Sequence, residues 1–334
     1  MASNKAAFFD KTGIPLRIGD APIPQPGPDD IVVKNYAVAI NPVDFYQWST
    51  GAMIKNYPAV LGHDVAGEVY DVGSSVTKFK KGDRVAGQAW GFKTGQPQDG
   101  AFALYSNIPS KNSASLPESI AFKDAAVLPL AIDTAATGLF LAESLDLPWP
   151  EENSKPIEKT IIVYGASSSV GSMAVQLAKA AGARVIGVAS KVNADFVKEA
   201  GADLALDYRD PNVIEDAVKS IDKSSFVGIY DAIGNEASHK IVVPIFERIG
   251  GKSRYATTRA TPDNLPKDVS RYRIVGMGEH VFPIWKTFVA DALQSGKLKC
   301  LPRPEVVGTG LESLQTGVER MGKGVSATKL VIEL

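Results

Sequence analysis

From Thr160 onward the chain alternates short apolar runs with amphipathic ones, and this alternation restricts the fold more than any other feature. The runs IIVY, RVIGVAS, LALDY, VGIYDAI and KSRYAT read as strands. Helical spacing falls between them over Val170 to Ala181, Ala194 to Ala200, Asn212 to Ser220 and Ala237 to Arg248, and again over Ile284 to Ser295. Parallel strands need crossover connections, so strand and helix in alternation predict a parallel sheet with helices on both faces. Upstream, from Ile31 to about Ile120, the texture differs. Runs such as IVVKNYAVAI and DVAGEVYDVG are split by the turn formers Gly73, Gly82-Asp83 and Gly87, which predicts an antiparallel, barrel-like domain. Pro148 to Pro156, PWPEENSKP, is too rich in proline and polar groups for a helix or central strand and reads as an exposed connector. The last forty residues return to a strand-like pattern ending in KLVIEL and are expected to fold back onto the first domain.

A chain of 334 residues is long enough for two domains, each with its own apolar interior. Its 36 basic and 37 acidic side chains leave a formal net charge of -1, so no global field draws it to nucleic acid or an anionic membrane. Lys78, Lys80 and Lys81 read as a solvated turn. With Cys300 as the one cysteine, an intrachain disulfide is impossible. Met1 to Asp10 lack the layout of a secretory signal, and the apolar run Ala125 to Ile132 is interrupted by Pro129. A cytoplasmic protein that does not span a membrane is the expectation, with a homodimer as the default assembly.

The strongest local motif follows the Ile161 to Tyr164 strand. Gly165, Ala166, Ser167, Ser168, Ser169, Val170 and Gly171 lead directly into the amphipathic segment SMAVQLAKAAGA. Strand, tight turn and helix in this order aim backbone N–H groups and the positive helix end at a pyrophosphate. A G-x-G-x-x-G fingerprint falls on Ala166, Ser168 and Gly171, so only its last glycine is kept. The alternative is a serine-rich turn in an α/β domain that holds no cofactor. The end of the next strand discriminates further. An NAD site places Asp or Glu about 20 residues on to bind the ribose hydroxyls. Here Ser190, Lys191, Val192 and Asn193 follow the strand with no carboxylate. A carboxylate repels a 2′-phosphate, whereas Ser190, Lys191 and Asn193 neutralise it or donate to it, so NADPH is the expected cofactor. Tyr208, after the third strand, is either a second wall of this site or an ordinary surface tyrosine.

With these motifs in place, the chain resembles the medium-chain dehydrogenase/reductase superfamily over nearly its whole length. The resemblance is carried by NPVD at Asn41 to Asp44, LGHDVAGEV at Leu61 to Val69, VGSSVTKFKKGDRV at Val72 to Val85, GAFALY at Gly100 to Tyr105, AAVLP at Ala125 to Pro129, VYGASSSVG and the terminal KLVIEL. It implies an α/β protein with a GroES-like β-barrel catalytic domain (residues 1–127 with 297–334) and a doubly wound parallel-sheet Rossmann domain (128–296). The zinc alcohol dehydrogenases of this superfamily hold a catalytic metal with cysteines and the histidine of a G-H-E motif. Here NPVD stands at the first position, and of the set only His63 in Gly62-His63-Asp64 remains. One cysteine and the three histidines His63, His239 and His280 cannot supply a catalytic and a structural zinc site. No metal is therefore expected, and His63 is read as structural. The pattern resembles the quinone reductases, zeta-crystallin and enoyl reductases. The connector, SKVN and DYRDPN at Asp207 to Asn212 are similar to fungal trans-acting enoyl reductases and their dehydrogenase-like relatives.

The resemblance implies an oxidoreductase that delivers hydride from NADPH to an activated carbon–carbon double bond in an enone or enoyl thioester. The substrate would be a small molecule, free or carrier-bound. A quinone reductase and a catalytically silent NADPH-binding protein are the alternatives. Alcohol oxidation is disfavoured when no metal polarises the oxygen. By the same resemblance Asn41 and Tyr46 lie beside the nicotinamide, Asp44 belongs to the same cofactor-binding block, and Thr134 caps the ring. Tyr46 donates a hydrogen bond or proton unless solvent does so or the residue serves only packing. Gly234, after VGIYDAI, would let backbone pass close to the nicotinamide ribose. Trp48, Trp90, Phe282 and Trp285 are candidate cleft walls, although aromatic residues are more often core.

Overall fold

The computed structural model describes residues 3–334, so Met1 and Ala2, the first two residues of the segment read for a secretory layout, lie outside it. The described chain forms two compact units. One runs to Leu130 and takes in Val289–Gly296 and Cys300–Leu334; the other comprises Ala131–Phe288 and Lys297–Lys299. Segment 289–296, which the sequence reading placed in the second domain, thus packs with the first.

The first unit is built on the 11-residue strand Asp30–Ile40. It pairs antiparallel with Asp64–Val72, with Tyr105–Pro109 and with the C-terminal strand Lys329–Glu333, within a seven-stranded sheet. A separate three-stranded sheet contains Asn4–Phe9, Arg17–Ala21 and Ala59–Val60. The apolar core draws on both sheets, joining Phe9, Ile31, Ile40, Phe102 and Ile108 with Leu314 and Val318. The tail is less uniform than expected. It contains a helix, Leu314–Gly322, whose buried Leu314, Val318 and Met321 recur at helical spacing. Glycines at 308, 310, 317, 322 and 324 obscure that spacing in the sequence.

The second unit holds six parallel strands in the spatial order Leu204–Asp207, Arg184–Ala189, Thr160–Tyr164, Phe226–Asp231, Ser253–Thr257 and Val269–Arg273. The strand first in the chain, Thr160–Tyr164, is central and buried throughout, as a parallel strand covered on both faces must be. Strand order reverses there, so the carboxyl ends of these strands open at a topological switch point. Two features differ from expectation. The helical run near Ile284 to Ser295 is two helices, Phe282–Thr287 and Val289–Gln294, because Phe288 leaves helical geometry at φ -132°. The edge strand Val269–Arg273 gave no apolar alternation because only one side of it is paired and Ser270, Arg271 and Arg273 are exposed. None of the described helices is long and apolar enough to cross a membrane.

Candidate functional site

The strand Thr160–Tyr164 feeds the turn that begins at Gly165 and enters the helix Ser169–Ala180. Gly165 has φ +74°, and a Cβ there would lie 2.5 Å from Ile233 Cγ1, so both backbone conformation and space demand glycine. A Cβ on Gly171 would lie 2.1 Å from the Gly165 carbonyl oxygen, which explains why this fingerprint glycine is retained. Ala166 is buried at the base of the turn. The three serines have separate roles. Ser168 Oγ accepts from Gly171 N at 3.0 Å and so caps the helix, taking up one amide that a phosphate would otherwise use. Ser167 Oγ accepts from Asn193 Nδ2 at 3.2 Å, tying the turn to the segment after the second strand. Ser169 Oγ is buried with no hydrogen-bond partner.

At the end of the Arg184–Ala189 strand Ser190 is nearly buried, while Lys191 is exposed and its ammonium makes no hydrogen bond or ion pair among the described residues. Ala189 pairs with Asp207 at the last rung of the ladder, and Tyr208 N donates to Ala189 O at 3.1 Å, so Tyr208 and Arg209 leave the sheet at the strand end neighbouring Ser190. Tyr208 is partly exposed, its ring 6.4 Å from that of Tyr164 and 5.2 Å from the Arg209 guanidinium. Burial, with Asp231 and Tyr208 nearby, pushes the Tyr164 hydroxyl up to about 12, so it stays neutral at physiological pH. Arg209 was not singled out from the sequence. Its signal was its place one residue past a candidate wall at a parallel strand end.

The next strand ends at Asp231, a fully buried carboxylate that accepts four hydrogen bonds. Ile233 N and Gly234 N donate to Oδ1, and Ser238 Oγ and the Tyr255 hydroxyl donate to Oδ2, all within 2.6–2.9 Å. Burial and this carboxylate raise the Tyr255 hydroxyl well above the ordinary phenol range. Asp231 therefore pins the turn carrying Gly234. The space beside Gly234 is taken by Thr257 Oγ1 at 2.4 Å and Arg259 Cβ at 2.9 Å from where its Cβ would be, so the following loop accounts for the missing side chain. Thr134 is nearly buried; its carbonyl accepts from the Tyr230 hydroxyl at 2.9 Å, and Gly276 packs against its side chain.

In the first unit, Lys329–Glu333 pairs with Asp30–Ile40 so that Leu330 meets Ile40, which brings Lys329 to Asn41. Lys329 Nζ lies 2.9 Å from Asp64 Oδ2 and donates to Asn41 Oδ1 at 2.5 Å, while Asn41 Nδ2 donates to Asp64 Oδ2 at 2.8 Å. Asp44 Oδ2 accepts from Asn41 N at 2.7 Å, and Asp44 Oδ1 lies 2.9 Å from His63 Nδ1. All five side chains are buried. The polar atoms of Asn41 and Asp44 are thus engaged inside the unit. Tyr46, on the helix Pro42–Thr50, is the contrast: it is 52% exposed, and its hydroxyl has no partner among the described residues. The aromatic residues read as walls divide, with Trp285 buried and its Nε1 donating to Asp133 Oδ1 at 2.6 Å, while Trp48 donates to Ile14 O.

Comparison with known proteins agrees with this architecture. Residues 27–118 match the family model of the alcohol dehydrogenase GroES-like domain, and residues 169–250 match that of zinc-binding dehydrogenase. The chain is 42% identical to dehydrogenase orsE of Emericella nidulans, with all of both chains covered. It is 35% identical to trans-enoyl reductase himH of Aspergillus japonicus over 99% of this chain and 97% of that one. An alcohol dehydrogenase superfamily protein from Novosphingobium aromaticivorans shares the fold at a TM-score of 0.79 and 23% identity, with 99% of each chain covered. The zinc of the second family description does not fit the residues present: the described residues contain no group of three or more His, Cys, Asp or Glu able to hold a metal ion. A GroES-like β unit, a parallel sheet in the 3-2-1-4-5-6 order and full-length relatives lead to one conclusion: the chain belongs to the medium-chain dehydrogenase/reductase superfamily, a family of nicotinamide-dependent oxidoreductases.

Proposed function

We propose that the chain is an NADPH-dependent reductase that saturates an activated carbon–carbon double bond in an enoyl thioester or enone. The observation that carries the cofactor choice is the end of the second parallel strand. Lys191 stands there exposed and without a partner, Ser190 precedes it, Arg209 lies across the sheet, and the segment Ser190–Asn193 has no carboxylate. Two cations and a hydroxyl favour a 2′-phosphate over a free ribose hydroxyl. The amides at the start of the Ser169–Ala180 helix would hold the pyrophosphate. The bound dinucleotide supplies a hydride; the chain supplies orientation and charge.

The balanced reaction adds one hydride and one proton across C=C, oxidising NADPH to NADP⁺ and leaving the carbonyl intact. The proton goes to the carbon next to the carbonyl, and Tyr46, with its free hydroxyl, is the group of this chain suited to donate a hydrogen bond or that proton. Relatives named trans-enoyl reductase favour this reading over a quinone reductase. The test is oxidation of NADPH and NADH with crotonyl thioesters, enones and quinones, alongside fluorescence titration of both nucleotides into Lys191→Ala. Turnover of the enoyl acceptors and a larger loss of affinity for NADPH than for NADH are expected. Turnover of quinones alone would replace the double-bond reading, and equal losses would place the phosphate elsewhere.

A further inference from the structure

A small pocket lies wholly within the first unit, whereas the strand ends assigned to the dinucleotide belong to the second. The helix Pro42–Thr50 contributes one side, residues 53–56 and 59–63 another, and the short helix Gly91–Thr94 with residues 95–97 the third. Ile54, Val60, Leu61 and Phe92 give it apolar walls. Its rim is tied down, because Lys55 Nζ donates to Lys93 O at 2.5 Å and Asn56 Nδ2 to Gly95 O at 3.2 Å. The volume is about 20 Å³, enough for a group the size of one water molecule.

Two polar side chains line this pocket with hydrogen-bonding capacity left over. Gln47, 2% exposed, makes no side-chain hydrogen bond among the described residues, and its Oε1 is buried. His63, 3% exposed, engages only Nδ1, which lies 2.9 Å from Asp44 Oδ1; its Nε2 has no partner among the described residues. Asp44 Oδ2 already accepts from Asn41 N, and a carboxylate only accepts, so His63 Nδ1–H donates to Asp44 and Nε2 of the neutral ring is left as an acceptor. Gln47 offers an amide N–H as well as a carbonyl oxygen. Buried polar groups are normally paired, and here two unpaired ones share a pocket with room for a single oxygen. A hydroxyl satisfies both, donating to His63 Nε2 and accepting from the Gln47 amide. A ketone or thioester carbonyl has no hydrogen to give the imidazole.

We propose that Gln47 and His63 bind a hydroxyl group of the acceptor, so that the chain prefers hydroxylated acceptors to their unhydroxylated counterparts. The identity of this ligand as the acceptor rests on the double-bond reading of the function, whereas the hydroxyl site stands on the pocket alone. Discrimination arises from the groups left unpaired when the hydroxyl is missing.

Benzylideneacetone and its ring-hydroxylated derivatives serve as probes, since all carry the same activated double bond on an apolar ring and the derivatives add a single hydroxyl at different positions. NMR titration into protein saturated with NADP⁺ reads binding without turnover. At least one hydroxylated probe is expected to bind about tenfold or more tightly than the parent. Gln47→Leu, close in volume and without polar side-chain atoms, should bring that probe to the parent's affinity. It should also hold or raise the Tm of the ligand-free protein, because it removes an unpaired buried amide. Gln47→Met carries the same expectations should the leucine variant fail to fold. No hydroxylated probe binding better than the parent, a preference that survives substitution, or a fall in Tm in both variants would overturn the proposal. An absence of NADPH oxidation with every probe, alongside an intact hydroxyl preference in the titration, would instead defeat the reduction reading and leave the hydroxyl site in place.

Discussion

Replacing Lys329 by methionine tests the buried network of the first unit, because it removes the cation and preserves most of the side-chain volume. Lys329 and Asp64 are both almost completely buried, and the ammonium makes two charge-assisted contacts, 2.9 Å to Asp64 and 2.5 Å to Asn41. Each such bond is worth about 1.5–3 kcal/mol, and breaking one side of a buried ion pair costs about 3–5 kcal/mol because the other charge is left uncompensated. In a unit of about 170 residues this predicts a fall in Tm of roughly 6–20 °C, read by scanning calorimetry as the transition of that unit. Adding Asp64→Asn should recover about half of the loss or more. The asparagine removes the stranded charge and still offers an oxygen to Leu130 N, which now donates to Asp64 Oδ1 at 2.6 Å. A fall below about 3 °C in the single variant, or no recovery in the double, would refute the reasoning, since water would then be reaching these groups.

Three further outcomes follow from particular contacts. Gly171→Ala forces a Cβ against the Gly165 carbonyl and should weaken NADPH binding about tenfold or more with helix content unchanged; an unaltered fluorescence titration counts against the turn as phosphate site. Burial raises the Asp203 carboxyl, but the Val185 N–H and Lys179 outweigh it and hold it below the ordinary carboxylate value. Its contribution, about 1 kcal/mol or less after solvent screening, is present above the unfolded value near pH 4 and is lost as pH falls through the lower native one. The stability gap between wild type and Asp203→Asn, measured in urea, should therefore be flat above about pH 5 and close toward pH 2, and a gap that widens in acid contradicts this. Burial, with Asp124 nearby, pushes the Cys300 thiol up to about 12, so iodoacetamide at pH 8 should modify it roughly a thousandfold more slowly than in the unfolded chain; rates within tenfold would show an accessible thiolate.

Much of the α/β unit was legible because its signals are local. IIVY, GASSSVG and the following helix are contiguous, and each element announces itself through a period of two or 3.6 residues. The edge strand Val269–Arg273 and the helix Leu314–Gly322 were not legible, one for want of a buried face to alternate and the other because glycines interrupt its apolar spacing. Among the residues proposed for the site, Lys191 stood out through what is missing beside it, a carboxylate after the second strand.

The sequence by itself determined the alternation that makes a parallel sheet, the strand–turn–helix at its first strand, and the lack of an acid after the second. These depend on residues within about 20 positions of one another, where chain connectivity already limits geometry. Tertiary structure alone decided that Lys329 meets Asn41 across 288 positions, that Asp231 gathers four donors, and that Ser168 serves the helix while Ser169 stays free. Strand pairing and burial create those partners, and a hydrogen bond between distant residues leaves no periodic trace in the sequence that encodes it.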